Sequence, residues 1–378
     1  MKESSSILAV LCFVTLDCVL SFEMNLLHVN DIHARIEETD KYSSTCKPQD
    51  QKAGQCYGGV ARLSQAVQDI KRREKNVLWL NGGDIYQGTV WYTQFKWRVM
   101  SLFNNMLNFD AMTLGNHEFD DKVAGLEPFL RNQSCPVVVT NMNVSLVPSL
   151  AGLTVPSVKI EVGDKVVGIV GYLTPNTKYK SHPEEVIFTD EISALQTEVK
   201  KLHDEGTDII LAIGHSGYAK DKEVAASVPH LDVIVGAHSH SFLFSSENPS
   251  VEKIEGPYPT IINNPGGHKT LVVQAYAFTK YLGHIKLSFS GSGDLVSWRG
   301  SPILLDSSYP QDPDILAEMA PYRAKLGVTV VGTSESFLLQ SRNGESNIGN
   351  FVADAMVSSW MGKRMPNGGK VRYVNVNI

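Results

Sequence analysis

The chain of 378 residues has few cysteines, no excess of positive charge and little long apolar sequence. Its 34 lysines and arginines are outnumbered by 40 aspartates and glutamates, and no basic stripe is interleaved with aromatic residues. The composition therefore gives no indication of a nucleic-acid polymer as a partner. Internal repeats and low-complexity tracts are absent too, and 43% hydrophobic residues are typical of a globular protein. The length allows two domains.

The one long apolar stretch lies at the N-terminus. Lys2 precedes the mostly apolar residues 7–20, and Val19-Leu20-Ser21 offers a cleavage site, a pattern typical of a secretory signal peptide. We expect residues 1–21 to be removed, so that the mature chain begins at Phe22; a buried N-terminal helix is the alternative. Later segments are too short or too polar to cross a bilayer, and we expect a secreted, extracellular protein without a membrane span.

Two of the five cysteines fall within the expected signal peptide. In a secreted protein, Cys46 and Cys56 are predicted to close a small surface loop as a disulfide. Cys135 is then a buried thiol or half of a bond that the sequence does not reveal. Asn132 and Asn143 each begin an Asn-X-Ser sequon, so both are predicted glycosylation sites.

Runs rich in valine and isoleucine alternate with segments of helical spacing. Strands are predicted at residues 24–29, 77–80, 137–139, 166–170, 209–213 and 231–235, and helices at 60–70 and 192–202. Residues 271–278 and 281–289 are predicted to be a strand pair joined around Thr279-Lys280. This alternation indicates an α/β fold whose sheets are covered by helices.

The first domain is predicted to span residues 22–306. Residues 307–327 form a linker and a helical segment, which Pro321 should kink or split. A second unit is expected over residues 328–378. Because strand-like sequence runs almost to Ile378, we expect this second domain to be incomplete.

Seven potential metal ligands follow the predicted strands. They are Asp31, His33, Asp84, Asn116, His215, His238 and His240. Because α/β folds place functional groups at the carboxyl ends of strands, we expect these side chains to meet. Two divalent cations can clamp the attacking and leaving oxygens of a phosphoryl group. We assign one cation to Asp31, His33, Asp84 and His240, and the other to Asp84, Asn116, His215 and His238. The imidazoles favour zinc, with magnesium, manganese or calcium as alternatives.

His117 follows the ligand Asn116 and is expected to point elsewhere. Asp120, three residues on, can accept a hydrogen bond from the His117 ring and keep it cationic. A cationic imidazole beside a phosphate would stabilise the leaving oxygen, whereas a purely structural histidine is the alternative. The nucleophile would be a water molecule acidified by the cations.

Several longer motifs surround these residues. They are His28-Val-Asn-Asp-Ile-His-Ala-Arg35, Tyr57-Gly-Gly-Val-Ala-Arg62, Gly83-Asp-Ile-Tyr-Gln-Gly-Thr89, Leu114-Gly-Asn-His-Glu-Phe-Asp120, Gly214-His-Ser-Gly217, Gly236-Ala-His-Ser-His240 and Val273-Gln-Ala-Tyr-Ala-Phe278. On these motifs, from about Met24 onwards, the chain resembles the 5′-nucleotidase/apyrase family of metallophosphoesterases.

The resemblance implies a four-layer α-β-β-α, calcineurin-like catalytic domain followed by an incomplete C-terminal α/β nucleotide-binding domain, which Asn347-Ile-Gly-Asn350 would begin. It also implies two divalent metals and extracellular hydrolysis of ATP, ADP or AMP. His117 and Asp120 would form the catalytic pair, and Asn116, Arg35 and Arg342 would approach the substrate phosphates.

Three questions remain open. The first is whether the chain is an apyrase that cleaves ATP and ADP or a 5′-nucleotidase that cleaves AMP, because the two share all the metal residues. A non-hydrolytic secreted protein that binds nucleotides or a protein partner is a second possibility. Hydrolysis of another phosphate ester, such as a cyclic nucleotide or a nucleotide sugar, is a third. The oligomeric state is not predicted.

Overall fold

The computed structural model describes residues 21–264 and 267–326. Within them the helices are α1 (Pro48–Lys52), α2 (Val60–Arg73), α3 (Val90–Phe95), α4 (Trp97–Leu107), α5 (Lys122–Arg131), α6 (Thr177–Lys180), α7 (Glu191–Asp204), α8 (Tyr218–Ser227) and α9 (Pro313–Lys325). The strands are β1 (Phe22–Val29), β2 (Val77–Asn81), β3 (Ala111–Met112), β4 (Met142–Asn143), β5 (Ser157–Val162), β6 (Lys165–Leu173), β7 (Ile187–Phe188), β8 (Ile209–His215), β9 (Val233–Val235), β10 (Phe242–Leu243), β11 (Ile254–Gly256), β12 (Thr260–Asn263), β13 (Lys269–Val273), β14 (Tyr281–Phe289), β15 (Leu295–Gly300) and β16 (Ile303–Leu304).

Most strands belong to two mixed sheets. The first has the order β15-β14-β1-β2-β3, with β16 also paired to β14. The second has the order β12-β13-β9-β8-β6-β5. In the first sheet β1, β2 and β3 are parallel, and in the second β13, β9, β8 and β6 are parallel. Parallel strands bring their carboxyl ends to one edge of a sheet, which is the edge that carries the polar motifs.

The two sheets share one apolar core and carry helices on their outer faces. Leu26 and Leu80 of the first sheet belong to the same buried cluster as Leu211 of the second. On the outer face of the first sheet, the Trp79 Nε1 donates a 3.0 Å hydrogen bond to the Leu107 carbonyl of α4. A separate buried cluster joins the outer face of the second sheet to α7 and α8. The predicted α-β-β-α layering is confirmed.

The helical spacing predicted around residues 60–70 corresponds to α2, whose periodic apolar side chains are buried. Apolar residues that recur every three or four positions lie on one face of an α-helix, and burial of that face against the core stabilises the helix. The Asp190 carboxylate caps α7 by accepting a hydrogen bond of 2.9 Å from the Ser193 amide, which satisfies one of the unpaired donors of the first turn.

The predicted late strand pair is wrong. β13 lies in the second sheet beside β12 and β9, whereas β14 lies in the first sheet between β1 and β15. Residues 274–280 cross between the sheets, and Tyr276, Phe278 and Thr279 have φ of 62°, 63° and 60° there. A left-handed backbone does not continue the pleat of a strand, so these residues cannot extend β13 into a hairpin.

One smaller prediction also needs correction, and a second is decided in part. Residues 137–139 make only single parallel bridges, from Val137 to Met112 and from Val138 to Val155, instead of a continuous ladder. Of the two effects predicted for Pro321, a kink or a split, the split does not occur, because Pro321 lies inside the single helix α9. The segment before α9 is fixed rather than loose, because Asp312 Oδ2 accepts hydrogen bonds from Ser64 Oγ and Gln68 Nε2 of α2, at 2.8 and 2.7 Å.

The chain divides into two compact units, Met1–Ala317 and Glu318–Ile378. Residues 1–20 of the expected signal peptide, the expected second domain over 328–378 and Arg342 lie outside the described residues. The domain bounds therefore stay a prediction. Within the described part of the chain, no helix is both long and apolar enough to cross a bilayer.

The predicted surface modifications fall in the described part. Cys46 and Cys56 form a disulfide that encloses α1, and the Cys135 thiol is free. Asn132 and Asn143 are both exposed. The Asn132 amide nitrogen donates to the Pro128 carbonyl at 2.7 Å. The Asn143 side-chain oxygen accepts from the Ser145 amide at 2.9 Å. Glycosylation of either residue stays a prediction.

Candidate metal centre

The seven predicted ligands lie at the carboxyl ends of strands from both sheets. Asp31 and His33 follow β1, Asp84 follows β2, Asn116 follows β3 and His215 ends β8. His238 and His240 follow β9. Because both sheets direct these ends to the same edge, residues separated by up to 209 positions along the sequence come together there.

The first group of ligands is formed by Asp31, His33 and His240, whose ligand atoms all lie within 4.8 Å of one another. The His33 and His240 Nε2 atoms are 3.0 Å apart. The Asp31 Oδ1 atom lies 3.4 Å from the His240 Nε2 and 3.9 Å from the His33 Nε2. Two imidazole nitrogens and a carboxylate oxygen that face one point are a donor set suited to a divalent transition metal.

The second group is formed by Asp84, His215 and His238, within the same radius. The Asp84 Oδ2 atom lies 3.1 Å from the His215 Nε2 and 3.7 Å from the His33 Nε2 of the first group. The Asp84 carboxylate therefore faces both groups, as a residue that bridges two cations must.

Polar atoms without partners mark the same place. Among the described residues, the buried Asn116 Oδ1 atom has no hydrogen-bond partner, and the buried His215 Nε2 makes no well-aligned hydrogen bond although the Asp84 Oδ2 lies 3.1 Å away. The opposite ring nitrogens are held in place, because the His215 Nδ1 donates to the Gly82 carbonyl at 2.7 Å and the His33 Nδ1 to the Tyr86 carbonyl at 3.1 Å. Such backbone contacts fix the tautomer and aim Nε2 inward, as metal-binding histidines require. The residues thus fit two divalent cations.

The backbone at this edge is strained. Positive φ angles occur at Asp31 (51°), His33 (47°), Asp84 (53°), His238 (75°) and His240 (53°). A non-glycine residue in the left-handed region costs on the order of 1 kcal/mol and persists where the surrounding structure enforces it. Five such residues among the candidate ligands therefore indicate a functional site.

Glu118 holds two of the ligand loops together and was not singled out from the sequence. Its Oε1 atom accepts from the Ile85 and Tyr86 amides at 2.7 and 3.1 Å. Its Oε2 atom accepts from the Asp84 and Gly115 amides at 3.0 and 2.6 Å. Burial and the nearby Asp84 charge raise the pKa of Glu118 to about 7, while these amide donors act in the opposite direction. The signal available in the sequence was its place inside the Gly-Asn-His-Glu motif.

Glycine is required where the two loops touch. A Cβ on Gly115 would collide with the Asp84 carboxylate, and a Cβ on Gly83 would collide with the Gly115 amide. The tight approach lets the His117 amide donate to the Asp84 Oδ1 at 2.8 Å, which orients the shared carboxylate.

His117 faces the candidate ligands, contrary to the expectation that it points elsewhere. Its ring centroid lies 5.2 Å from that of His33. The reason is that residues 117–119 form a 3₁₀ turn, in which neighbouring side chains are about 120° apart rather than on opposite sides as in a strand. Asn116 and His117 can therefore border the same space.

A hydrogen-bonded chain supports the His117 ring from behind. The His117 Nδ1 lies 2.7 Å from the Asp120 Oδ2, and the Ser181 hydroxyl donates to the Asp120 Oδ1 at 2.6 Å. Burial lowers the pKa of His117, but the hydrogen bond to Asp120 and the charge of Asp84 outweigh it, and the net direction is upward. Nothing in the sequence pattern indicated Ser181.

The charges at the centre depend strongly on one another. Burial alone would lower the pKa of His215, but Asp84 and Asp31 raise it to about 10. Burial and His215 lower the pKa of His238 to about 4. Cations displace protons from imidazole ligands. Metal binding at His215 would therefore release a proton.

Phe278, from the crossing between the sheets, forms an aromatic wall of the site. Its ring centroid is 5.1 Å from that of His240 and 5.6 Å from that of His33. The Arg35 guanidinium lies over the Phe278 ring, 4.7 Å from its centroid. Arg35 Nη1 donates to the Gly88 and His33 carbonyls at 2.5 and 3.0 Å. These contacts give Arg35 a structural role in addition to the predicted contact with phosphate.

The crossing segment is anchored by a buried ion pair. Lys280 Nζ contacts Glu252 Oε1 and donates to the Ser250 hydroxyl at 3.0 Å. The Tyr281 hydroxyl donates to the other Glu252 oxygen at 2.6 Å. Removal of one partner of such a pair would leave an uncompensated buried charge, so separating the two side chains is costly. The pair therefore holds Lys280 in place, and with it the nearby Phe278.

The sequence is similar to those of known proteins. The calcineurin-like phosphoesterase family matches residues 24–242. The 5′-nucleotidase of Homo sapiens is 45% identical over 354 residues, which are 90% of this chain and 60% of that protein. An apyrase of Tabanus yao is 40% identical over 348 residues, covering 90% of this chain and 62% of that protein. The chain thus spans about three fifths of the length of these curated relatives.

A solved structure agrees with this comparison. The 5′-nucleotidase precursor from Thermus thermophilus superposes with a TM-score of 0.79 at 33% identity, covering 90% of this chain and 68% of that one. The predicted resemblance is confirmed. A family match over more than half of the chain, the layered fold and the ligand groups lead to one conclusion: the chain belongs to the calcineurin-like phosphoesterase family.

Proposed function

We propose that the chain is the catalytic part of a secreted hydrolase that releases phosphate from 5′-nucleotides at a two-metal centre. The observation that carries this proposal is the Asp84 carboxylate, which lies 3.1 Å from the His215 Nε2 of its own ligand group and 3.7 Å from the His33 Nε2 of the other. The ring of His117 lies beside them. The names of the relatives support a nucleotide as the substrate.

Each group of residues would have a distinct task. Asp31, His33, Asp84 and His240 would hold one divalent cation, and Asp84, Asn116, His215 and His238 the other. When bound, the two cations polarise a phosphoryl group and acidify a water molecule. The nitrogen-rich donor set favours zinc over magnesium, manganese or calcium.

His117 would act on the leaving oxygen. Its Nδ1 atom is occupied by Asp120, so its Nε2 atom is the one available to donate a proton. A positioned general acid of this kind typically contributes about 10² to 10⁴ in rate. Asp120 would keep the ring oriented and cationic, and Ser181 would keep Asp120 in place. We further propose that Arg35, Asn116 and Arg342 contact substrate phosphates.

The test is phosphate release from ATP, ADP and AMP by the secreted protein after chelation and after addition of zinc, magnesium, manganese or calcium. Release that is lost on chelation and restored by a divalent metal is the expected result. If protein with two bound metals per chain releases no phosphate from any nucleotide, the hydrolase proposal is wrong. Nucleotide affinity in the same preparation, measured by calorimetry, would then support the non-hydrolytic binding protein.

A further inference from the structure

Residues 174–181, which follow β6 and contain α6, border the centre and are attached to it at both ends. The Thr174 amide donates to the carbonyl of the ligand His215 at 3.1 Å. Seven residues later, the Ser181 hydroxyl donates to Asp120 at 2.6 Å. α6 lies between these two attachments and ends at Lys180. Lys180 directly precedes Ser181, so its backbone lies beside the His117–Asp120 pair.

The Lys180 ammonium is available for a ligand. The side chain is exposed, and within the described part of the chain no ion pair or hydrogen bond of its ammonium is found. Arg35 differs, because its Nε and Nη1 atoms already donate to backbone carbonyls.

Lys178 lies on the same short helix and provides an internal comparison. It is exposed as well, but its ammonium lies over the Tyr179 ring, 4.6 Å from the centroid. Both lysines carry the same charge within one turn of helix. Only Lys180 adjoins Ser181, the residue that contacts Asp120.

The side of the centre that Lys180 occupies has a chemical meaning. If His117 protonates the leaving oxygen, as proposed above, the leaving group lies on the side of His117 and Asp120. With AMP the leaving group is an uncharged nucleoside. With ADP or ATP it is a nucleotide whose charged phosphate directly follows the scissile bond. A cation on this side therefore distinguishes the two kinds of substrate.

We propose that Lys180 binds the leaving-side phosphate of nucleoside di- and triphosphates and raises activity on them relative to nucleoside monophosphates. The inference rests on the proposed function. It makes Lys180 a specificity-determining residue, whereas the ligand groups and His117 serve all three substrates. A monophosphate offers Lys180 no second phosphate, so its hydrolysis should not depend on this side chain.

The experiment compares Lys180→Leu with Lys178→Leu in the metal-loaded full chain. We expect Lys180→Leu to lower kcat/KM for ADP and ATP by about three- to tenfold, the range for an exposed charge that acts on a multiply charged group. For AMP the value should stay within about twofold, and Lys178→Leu should leave all three substrates near wild type. Lys180→Arg should restore activity on ADP, and added salt should reduce the difference between wild type and Lys180→Leu.

The outcomes separate the inference from the proposed function. An equal loss for AMP and ADP in Lys180→Leu, or an equal effect of Lys178→Leu, overturns the inference and leaves the hydrolase intact. Hydrolysis of AMP by a wild type that does not act on ADP or ATP also overturns it. If the wild type with two bound metals releases no phosphate from any nucleotide, the proposed function itself fails. Because both lysines are exposed, unchanged melting temperatures should accompany both variants.

Discussion

Glu118→Gln tests whether one buried carboxylate holds the ligand loops together. The wild-type side chain is fully buried and accepts from four backbone amides. Glutamine has the same size but only one acceptor oxygen, so two of these amides lose their acceptor whichever way the amide is oriented. A hydrogen bond to a charged group contributes about 1.5–3 kcal/mol. Because the pKa of Glu118 is raised to about 7, the carboxyl is only partly ionised in neutral solution, and a hydrogen bond to its neutral form contributes about 0.5–1.5 kcal/mol. With two amides unpaired, the free energy of unfolding should therefore fall by about 1–6 kcal/mol.

This loss would be large against a typical total of about 5–15 kcal/mol. The assay is urea denaturation of metal-free protein followed by tryptophan fluorescence, with the midpoints of wild type and variant compared. Glu127→Gln is the matched control, because Glu127 makes a solvent-exposed ion pair of 2.9 Å with Arg131 on α5. Such pairs contribute about 0–1 kcal/mol. A loss below about 1 kcal/mol in Glu118→Gln would refute the reasoning that its four hydrogen bonds stabilise the loops.

Three further predictions follow from the site and its surroundings. Asp84→Asn should abolish phosphate release because it removes the carboxylate that faces both ligand groups. An unchanged circular dichroism spectrum would show that the fold is intact, and near-normal turnover would contradict the two-metal assignment. His117→Ala should lower kcat by about 10²–10⁴ with unchanged metal content by elemental analysis, and loss of metal would make His117 a ligand. Burial raises the pKa of Asp221 from 3.8 to about 8, so the stability that its neutral form provides is complete below 3.8 and lost as pH rises through 8. In metal-free protein, the melting temperature of Asp221→Asn minus that of the wild type should therefore increase as the pH is raised from 5 to 9. A difference that does not change with pH would contradict this reasoning.

The sequence predicted the layers and the ligand set because both depend on local signals. Apolar runs define the strands, and polar residues that follow them must lie at the carboxyl edge of a parallel sheet. The sequence alone therefore places the seven candidate ligands together, although their roles as ligands stay a prediction.

What the sequence did not predict depends on tertiary contacts. Residues 271–278 have the composition of a strand, yet left-handed backbone at Tyr276 and Phe278 ends β13 early and leads the chain to the other sheet. Ser181 contacts Asp120 across 61 residues, and no periodicity indicates such a pair. Glu118 stood inside a recognised motif, but only the folded loops show which amides it binds.

The left-handed backbone of the candidate ligands limits how this site can change during evolution. Aspartate, asparagine and histidine tolerate positive φ better than other non-glycine residues, and the same three residues supply oxygen and nitrogen ligands to divalent metals. At Asp31, His33, Asp84, His238 and His240, the backbone and the metal therefore select the same short list. Glutamate or cysteine could bind a cation but does not share this tolerance, and glycine fits the backbone but offers no side-chain ligand. Replacement of one of these three residue types by another, such as His240→Asn, can consequently change the metal preference without a change in the backbone of the loops.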